Sequence, residues 1–256
     1  MKVLFFCALL LLFSCQTQKQ KVVKRRVENK LIETIFVNDS SYDGITKYYS
    51  LSGILESKIN FKNGNKDGVC INYYPNGKIN DSMNFYKGYQ NGYHYLYDSI
   101  GNLDYIDFFF FGKRVGEKRF YKKNRVSEYD FNSFDGILLY KADYDSVGTI
   151  QEFGGKIINL NTSSLISDNV TKCKLSLYLI NPPNVGITYS LGTIDTITKE
   201  KKLSYYFSKS NRMFVDTILS PPLNGTNYFI NADYFDSLNN FHKVHIQPFE
   251  FPSYTK

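Results

Sequence analysis

The sequence predicts an all-β chain, with an array of antiparallel β-hairpin repeats followed by a sandwich of short strands. Three observations lead there. Aromatic residues, all Tyr and Phe, make up 17% of the 256 residues, and together with Ile, Val and Thr they favour pleated strands. Glycines and rings recur at a fixed period through the first half. Beyond Gly154-Gly155 the period stops, and short alternating segments separated by turn residues take over. A chain of this length can bury two ordinary cores.

Taken in order, residues 1–15 read MKVLFFCALLLLFSC, one Lys and then an apolar run that ends at a Cys. About a dozen apolar residues are too few to span a bilayer as a mature helix, so the segment is read as an export signal that is removed. Its end, Leu12-Phe13-Ser14-Cys15, resembles a bacterial lipobox, with Ser14 as the small residue before the Cys. That resemblance implies lipidation at Cys15 and cleavage in front of it; an ordinary signal cut elsewhere is the alternative. Several acyl chains would hold the protein on a membrane, at about 0.8 kcal/mol per buried methylene. The expected address is the bacterial cell envelope, lipid-anchored at the outer membrane, with the periplasmic and outward faces both open.

Residues 16–35 are read as a basic tether. Of the net charge of +7, Lys2 carries +1 and residues 16–30 carry +5, which leaves +1 for residues 31–256. The body of the protein has no cationic bias, so nucleic acid is not an expected partner; anionic headgroups beside the anchor suit the basic run better. Cys70 and Cys173, some hundred residues apart, are expected to be small buried groups without a bridge.

Residues 36–155 hold the repeat, with a period of 24 residues. Gly64, Gly88, Gly112 and Gly136 form one column. Gly44, Gly68, Gly92 and Gly116 form another, and Gly53, Gly77 and Gly101 a third. Phe61, Phe85 and Phe109 share the period, as do Tyr49, Tyr73, Tyr97 and Tyr121. Asn76-Gly77 is expected to be a two-residue hairpin turn of the primed type, and each Gly-x-x-x-Gly pair a longer connection between hairpins. Each unit is one hairpin, and stacking is expected to bury the ring columns against the next unit. The phase slips at the fourth unit, where Lys123-Asn124 stands one residue early.

At these residues, Tyr73-Tyr74-Pro75-Asn76-Gly77-Lys78 and then Phe85-Tyr86-Lys87-Gly88 with Gly92, the sequence resembles the bacterial antitoxin-like variant of the MORN repeat. The resemblance implies a β-repeat scaffold. The matching positions are turn glycines and rings, so it carries over no chemistry.

Residues 156–256 contain KCKLSLYLI, GITYSLGTI, KLSYYFS, RMFVDTILS, TNYFINADYF and FHKVHIQPFEF, separated by Pro-, Asn- and Ser-rich turns. Six or seven such strands suggest an immunoglobulin-like β-sandwich in layout, without the Cys–Trp–Cys pattern, since the chain has no Trp.

The search for chemistry returns little. His242 and His245 lie three apart on a strand and face opposite ways, so no metal site is expected. No nucleophile elbow or phosphate-binding loop occurs, and the pair Asp104 and Asp107 is read as incidental. The four aromatics Phe108 to Phe111 place two rings on each face, where they are either buried or form a docking patch; burial is expected. Asp-Ser/Thr-apolar triplets recur at Ser82, Ser99, Ser146, Thr196, Thr217 and Ser237. They resemble an O-glycosylation sequon of exported bacterial proteins, and they are equally good turn chemistry. The expectation is a non-enzymatic envelope lipoprotein that binds a protein or glycan partner and takes no cofactor. An envelope enzyme acting on a glycan through surface carboxylates is the alternative, and an antitoxin-like role is a more distant one.

Overall fold

The structure, a computed structural model, describes residues 20–28, 30–37, 41–167, 170–207, 214–222, 226–236, 241–249 and 251. Cys15 and Ser237 lie outside them. The described elements are all strands: β1 (Gln20–Val27), β2 (Lys30–Val37), β3 (Ser41–Tyr42), β4 (Gly44–Tyr49), β5 (Leu55–Lys62), β6 (Asn65–Tyr73), β7 (Ile79–Tyr86), β8 (Tyr89–Tyr97), β9 (Leu103–Phe110), β10 (Lys113–Lys122), β11 (Arg125–Asn132), β12 (Leu138–Tyr144) and β13 (Ile150–Gly155), then β14 (Ile158–Ser167), β15 (Val170–Leu179), β16 (Val185–Asp195), β17 (Lys201–Phe207), β18 (Phe214–Leu219), β19 (Thr226–Asp236) and β20 (Phe241–Phe249). The first thirteen form one antiparallel sheet in which β1, β2 and β4 to β13 lie side by side in chain order, with β3 paired only to β2.

The period is a pair of strands, and its glycines do three separate jobs. Asn63-Gly64, Lys87-Gly88 and Phe111-Gly112 are two-residue turns with both residues at positive φ, the type I′ geometry that matches strand twist. The N–H groups of Gly64, Gly88 and Gly112 donate to the carbonyls of Tyr42, Lys66 and Gln90 at 2.9, 2.8 and 2.8 Å, so each turn is tied to the preceding repeat. Asn76-Gly77 is not a primed turn. Tyr74 N–H donates to Lys78 at 2.8 Å and Gly77 N–H to Tyr74 at 2.9 Å, with only Gly77 of this loop at positive φ. This is the three-residue loop with a left-handed last residue. On that edge Tyr74 Oη donates to the Tyr97 carbonyl at 2.8 Å and Asn76 Nδ2 to the Ser99 carbonyl at 2.7 Å, again joining successive repeats.

The second glycine of each Gly-x-x-x-Gly pair is inside a strand rather than in a connection. At Gly68 and Gly92 the ladder slips by a bulge opposite Asn60 and Asn84. The carboxamides of Asn60 and Asn84 donate to the Val69 and Asn91 carbonyls at 2.6 and 2.8 Å. A Cβ at Gly92 would stand 3.2 Å from that of Asn84, so the bare backbone makes room for the amide. At the two connections after β10 the turn types exchange edges, and the β12–β13 loop, closed by Asp145 and Gly148, returns to the original pattern. Lys123-Asn124 is a two-residue turn, and Gly136 closes a three-residue loop with Ser133. Gly136 keeps its place in the sequence column but does the work of Gly77.

The segment read as a basic tether is folded from Gln20 onward: β1 and β2 form a hairpin that continues the sheet through β4. The two strands pair residue for residue from Gln20 opposite Val37 to Val27 opposite Lys30, and Lys24 reaches Glu33 across the hairpin at 3.1 Å. The ring columns are not sealed by stacking either. Phe61, Phe85, Phe109, Tyr73 and Tyr97 are only half-buried, and within β5 to β9 the buried residues are Cys70 and Asp107. Repeats placed edge to edge in one sheet cover each other's flanks and leave both faces open.

A closed core forms where this sheet meets two smaller ones, of order β14-β15-β18 and β17-β16-β19-β20. β14 lies outside the six alternating segments of the sequence. Leu175, Leu177 and Leu179 from the first, and Ile187, Tyr189, Leu191 and Ile230 from the second, share one cluster with Tyr129, Phe131, Tyr140 and Ala142 of β11 and β12. At the junction Gly155 has φ +87°, and a Cβ there would lie 2.1 Å from the Leu139 carbonyl oxygen, so only glycine closes β13 onto β12. Cys70 and Cys173 are buried and unbridged, and burial pushes both thiols up.

Candidate functional site

Where the outer face of β14-β15-β18 meets the repeat sheet, the chain leaves an open groove of about 660 Å³. One wall is aromatic. Phe108 and Phe110 reach it from β9, and Phe134 from the loop between β11 and β12. Phe134 meets Phe214 of β18 edge-on, with centroids 4.6 Å apart and rings at 88°, and Phe110 at 5.9 Å. The Phe134 N–H donates to Tyr178 Oη at 3.2 Å, so wall and floor are fastened together.

The floor carries a polar row, and strand register says why. Asn161, Ser176 and Asp216 lie opposite one another across β14, β15 and β18, so all three project from one face. Leu175 and Leu177, the neighbours of Ser176, point into the core. Lys174 Nζ is 2.8 Å from Asp216, whose other oxygen accepts from Ser176 Oγ at 2.5 Å. The Lys174 ammonium, and then the Ser176 hydroxyl, hold the Asp216 carboxyl below the ordinary carboxylate range. The expected burial of Phe108 to Phe111 is corrected here: Phe110 and Phe111 are 46% and 47% exposed. The run ends in the tight turn between β9 and β10, where the two rings are covered on one side only: Phe110 meets Phe134, and Phe111 stands 6.2 Å from both Tyr86 and Tyr89.

The other face of the repeat sheet carries a second constellation that sequence reasoning passed over. Asp107 is fully buried, with His94 Nδ1 at 3.0 Å on one oxygen and Arg114 Nε at 2.7 Å on the other. Asp104, three residues away, is exposed and does not converge with it. The row Ile59, Cys70, Met83, His94, Asp107, Lys118, Asp130, Lys141 runs straight across eight strands. It is apolar as far as Met83 and ionisable from His94 onward. Lys118 lies over Tyr105 and Phe120 at 4.7 and 4.1 Å, and burial, then Arg114, lowers its pKa. The repeat spacing held the signal, for Ile59, Met83 and Asp107 occupy one column.

The two C-terminal histidines stay apart. His242 pairs with Asp233, while burial and then Lys243 lower the pKa of His245. Among the described residues no group of three His, Cys, Asp or Glu is placed to hold a metal.

The Asp-Ser/Thr triplets divide by location. Ser99, Ser146 and Thr196 are exposed in turns where Asp98, Asp145 and Asp195 accept backbone N–H groups two residues on, at 3.0, 2.9 and 2.8 Å. Ser82 is in mid-strand, paired on both sides, and Thr217 lies opposite the fully buried Leu175. If the sequon reading holds, peptide mass spectrometry of protein from its own host finds hexose-type mass additions at Ser99, Ser146 and Thr196. Ser82 and Thr217 stay unmodified, and a glycan on either would contradict the accessibility argument.

Compared with known proteins, the chain matches no protein-family model and no curated protein.

Proposed function

We propose that this chain is an exported, lipid-anchored, non-enzymatic binding protein of the bacterial cell envelope, with the seam groove as its site for a protein or glycan partner. The groove carries the proposal. It joins residues from both halves of the chain into one open, ring-lined surface, in the size range of small-ligand sites. Its lining holds one carboxylate, Asp216, already engaged by Lys174 and Ser176. Acid–base hydrolysis of a glycan generally uses two carboxylates, so the lining favours binding over the enzyme alternative.

The architecture is read as a MORN-variant repeat platform followed by an immunoglobulin-like sandwich. The recurring hairpins with matched turns support the first part. The second is supported by seven strands in two sheets, with the first, second and fifth on one side and the fourth, third, sixth and seventh on the other. The proposed parts are the signal 1–15 with acylation at Cys15, a linker shortened to residues 16–19, the repeat sheet and the sandwich. Affinity capture from membranes with the full-length protein tests the function: a partner retained by wild type is expected to be lost with Phe110→Ala and Phe214→Ala. Capture unaffected by both variants would remove the groove from the proposal. Mass spectrometry of the mature N-terminus tests the anchor.

A further inference from the structure

We infer that the groove's ligand is an uncharged saccharide. This rests on the reading of the groove as the binding site and names its ligand class. The slot is ring-rich with one polar row. Phe108, Phe110 and Phe134 supply ring faces and edges on the wall, and on the floor Asn161, Ser176, Lys174 and Asp216 supply donors and acceptors beside the rings of Tyr178 and Phe214, which share their face. A pyranose has the same division, with a face of C–H groups and a rim of hydroxyls that both donate and accept. Its C–H face lies against the rings while its hydroxyls meet the carboxamide of Asn161 and the Ser176–Asp216–Lys174 group.

Two other ligand classes fit less well. An acyl chain would cover the polar row without replacing its hydrogen bonds to water, which penalises binding. An extended peptide that adds a strand needs a free backbone edge; β14 and β18 have one each, but it lies in the plane of the sheet, whereas the groove lies over the face from which Asn161, Ser176 and Asp216 project. The charge of the ligand follows from the floor. The Lys174 ammonium and Asp216 carboxylate stand 2.8 Å apart and neutralise each other, so no net field selects an anion or a cation.

The test is a glycan array spanning neutral, amino and acidic oligosaccharides, probed with the full-length protein in detergent and followed by titration calorimetry with the best neutral hit. Wild type is expected to bind neutral oligosaccharides. Phe214→Ala and Phe110→Ala should each weaken binding at least about tenfold, as truncation of an anchor that the ligand covers does. Phe214→Tyr, which keeps the ring, should bind close to wild type. Asp216→Asn should weaken binding with unchanged thermal stability. Tyr206→Phe, at a site 70% exposed, is the unaffected control. Binding of acidic glycans alone, or of no glycan at all, overturns the inference, as does neutral binding indifferent to all the groove variants. If membrane capture depends on Phe110 and Phe214 while no saccharide binds, the binding function survives and the saccharide does not. If capture is also indifferent to them, both fall.

Discussion

Tyr189→Phe is expected to lower stability by about 3 kcal/mol, although it removes a single oxygen. The ring is 1% exposed and packs in the core shared by the three sheets. Its hydroxyl lies 3.1 Å from the Ile157 carbonyl and 3.0 Å from the Ile180 carbonyl, and accepts from the Ile180 N–H at 3.2 Å. It therefore joins the residue before β14, the residue after β15 and strand β16 at one point. Phe keeps the packing and leaves the Ile180 N–H, and whichever carbonyl received the proton, without that partner. A buried polar group left unsatisfied costs about 1–3 kcal/mol, and two are affected. For a chain of this size that corresponds to a melting temperature lower by roughly 6–12 °C. Tyr206→Phe should stay within about 0.5 kcal/mol of wild type. Equal stability for Tyr189→Phe would mean that the freed groups find water or each other, and that the core is not dry at this point.

The contrast between Gly88 and Phe214 shows how far the sequence could be read. Gly88 recurs on a period because a left-handed turn residue is needed once per hairpin, and a local requirement repeated in space repeats in sequence. A different column, that of Gly77, shows the limit, since two turn types both end on a left-handed glycine; the number of residues enclosed, two at Asn63-Gly64 and three at Pro75-Asn76-Gly77, distinguishes them, and the dipeptide does not. Gln20–Val27 reads as tether because four cations outnumber its three Val residues, and its strand becomes legible only beside Lys30–Val37. The exposure of Phe110 follows from what the sheet lacks, a second layer, and composition is silent about that. The groove itself pairs Phe110 with Phe214 and Asp216, from segments with no shared period, so only the packing of β14-β15-β18 on the repeat sheet reveals it.

Asp107→Ala is expected to destabilise the middle of the repeat sheet by about 3 kcal/mol, the lower end of the range for removing one partner from a buried ion pair. The lower end applies because Arg114, 46% exposed, can turn to water when the carboxylate goes. His94, with a side chain 13% exposed and its ring edge-on to Tyr105 at 5.5 Å, has less freedom and keeps an unpaired N–H. Asp107→Asn retains an acceptor for one of the two donors and should lose about half as much. In a sheet built of repeats each unit leans on its neighbours, so damage at one repeat opens the adjacent ladders first. Hydrogen exchange is expected to quicken in β8, β9 and β10 and to stay unchanged in β16 and β19. The column Ile59, Met83, Asp107 also supplies the sharper comparison, Asp107→Met, which restores the residue type of the preceding repeat and removes the desolvated charge. If the ionisable row is held only by its mutual pairing, Asp107→Met also weakens the sheet, because His94 and Arg114 lose their acceptor. A gain in stability would instead show that burying Asp107 costs more than its two partners return, and that the row persists for a reason other than holding the sheet together.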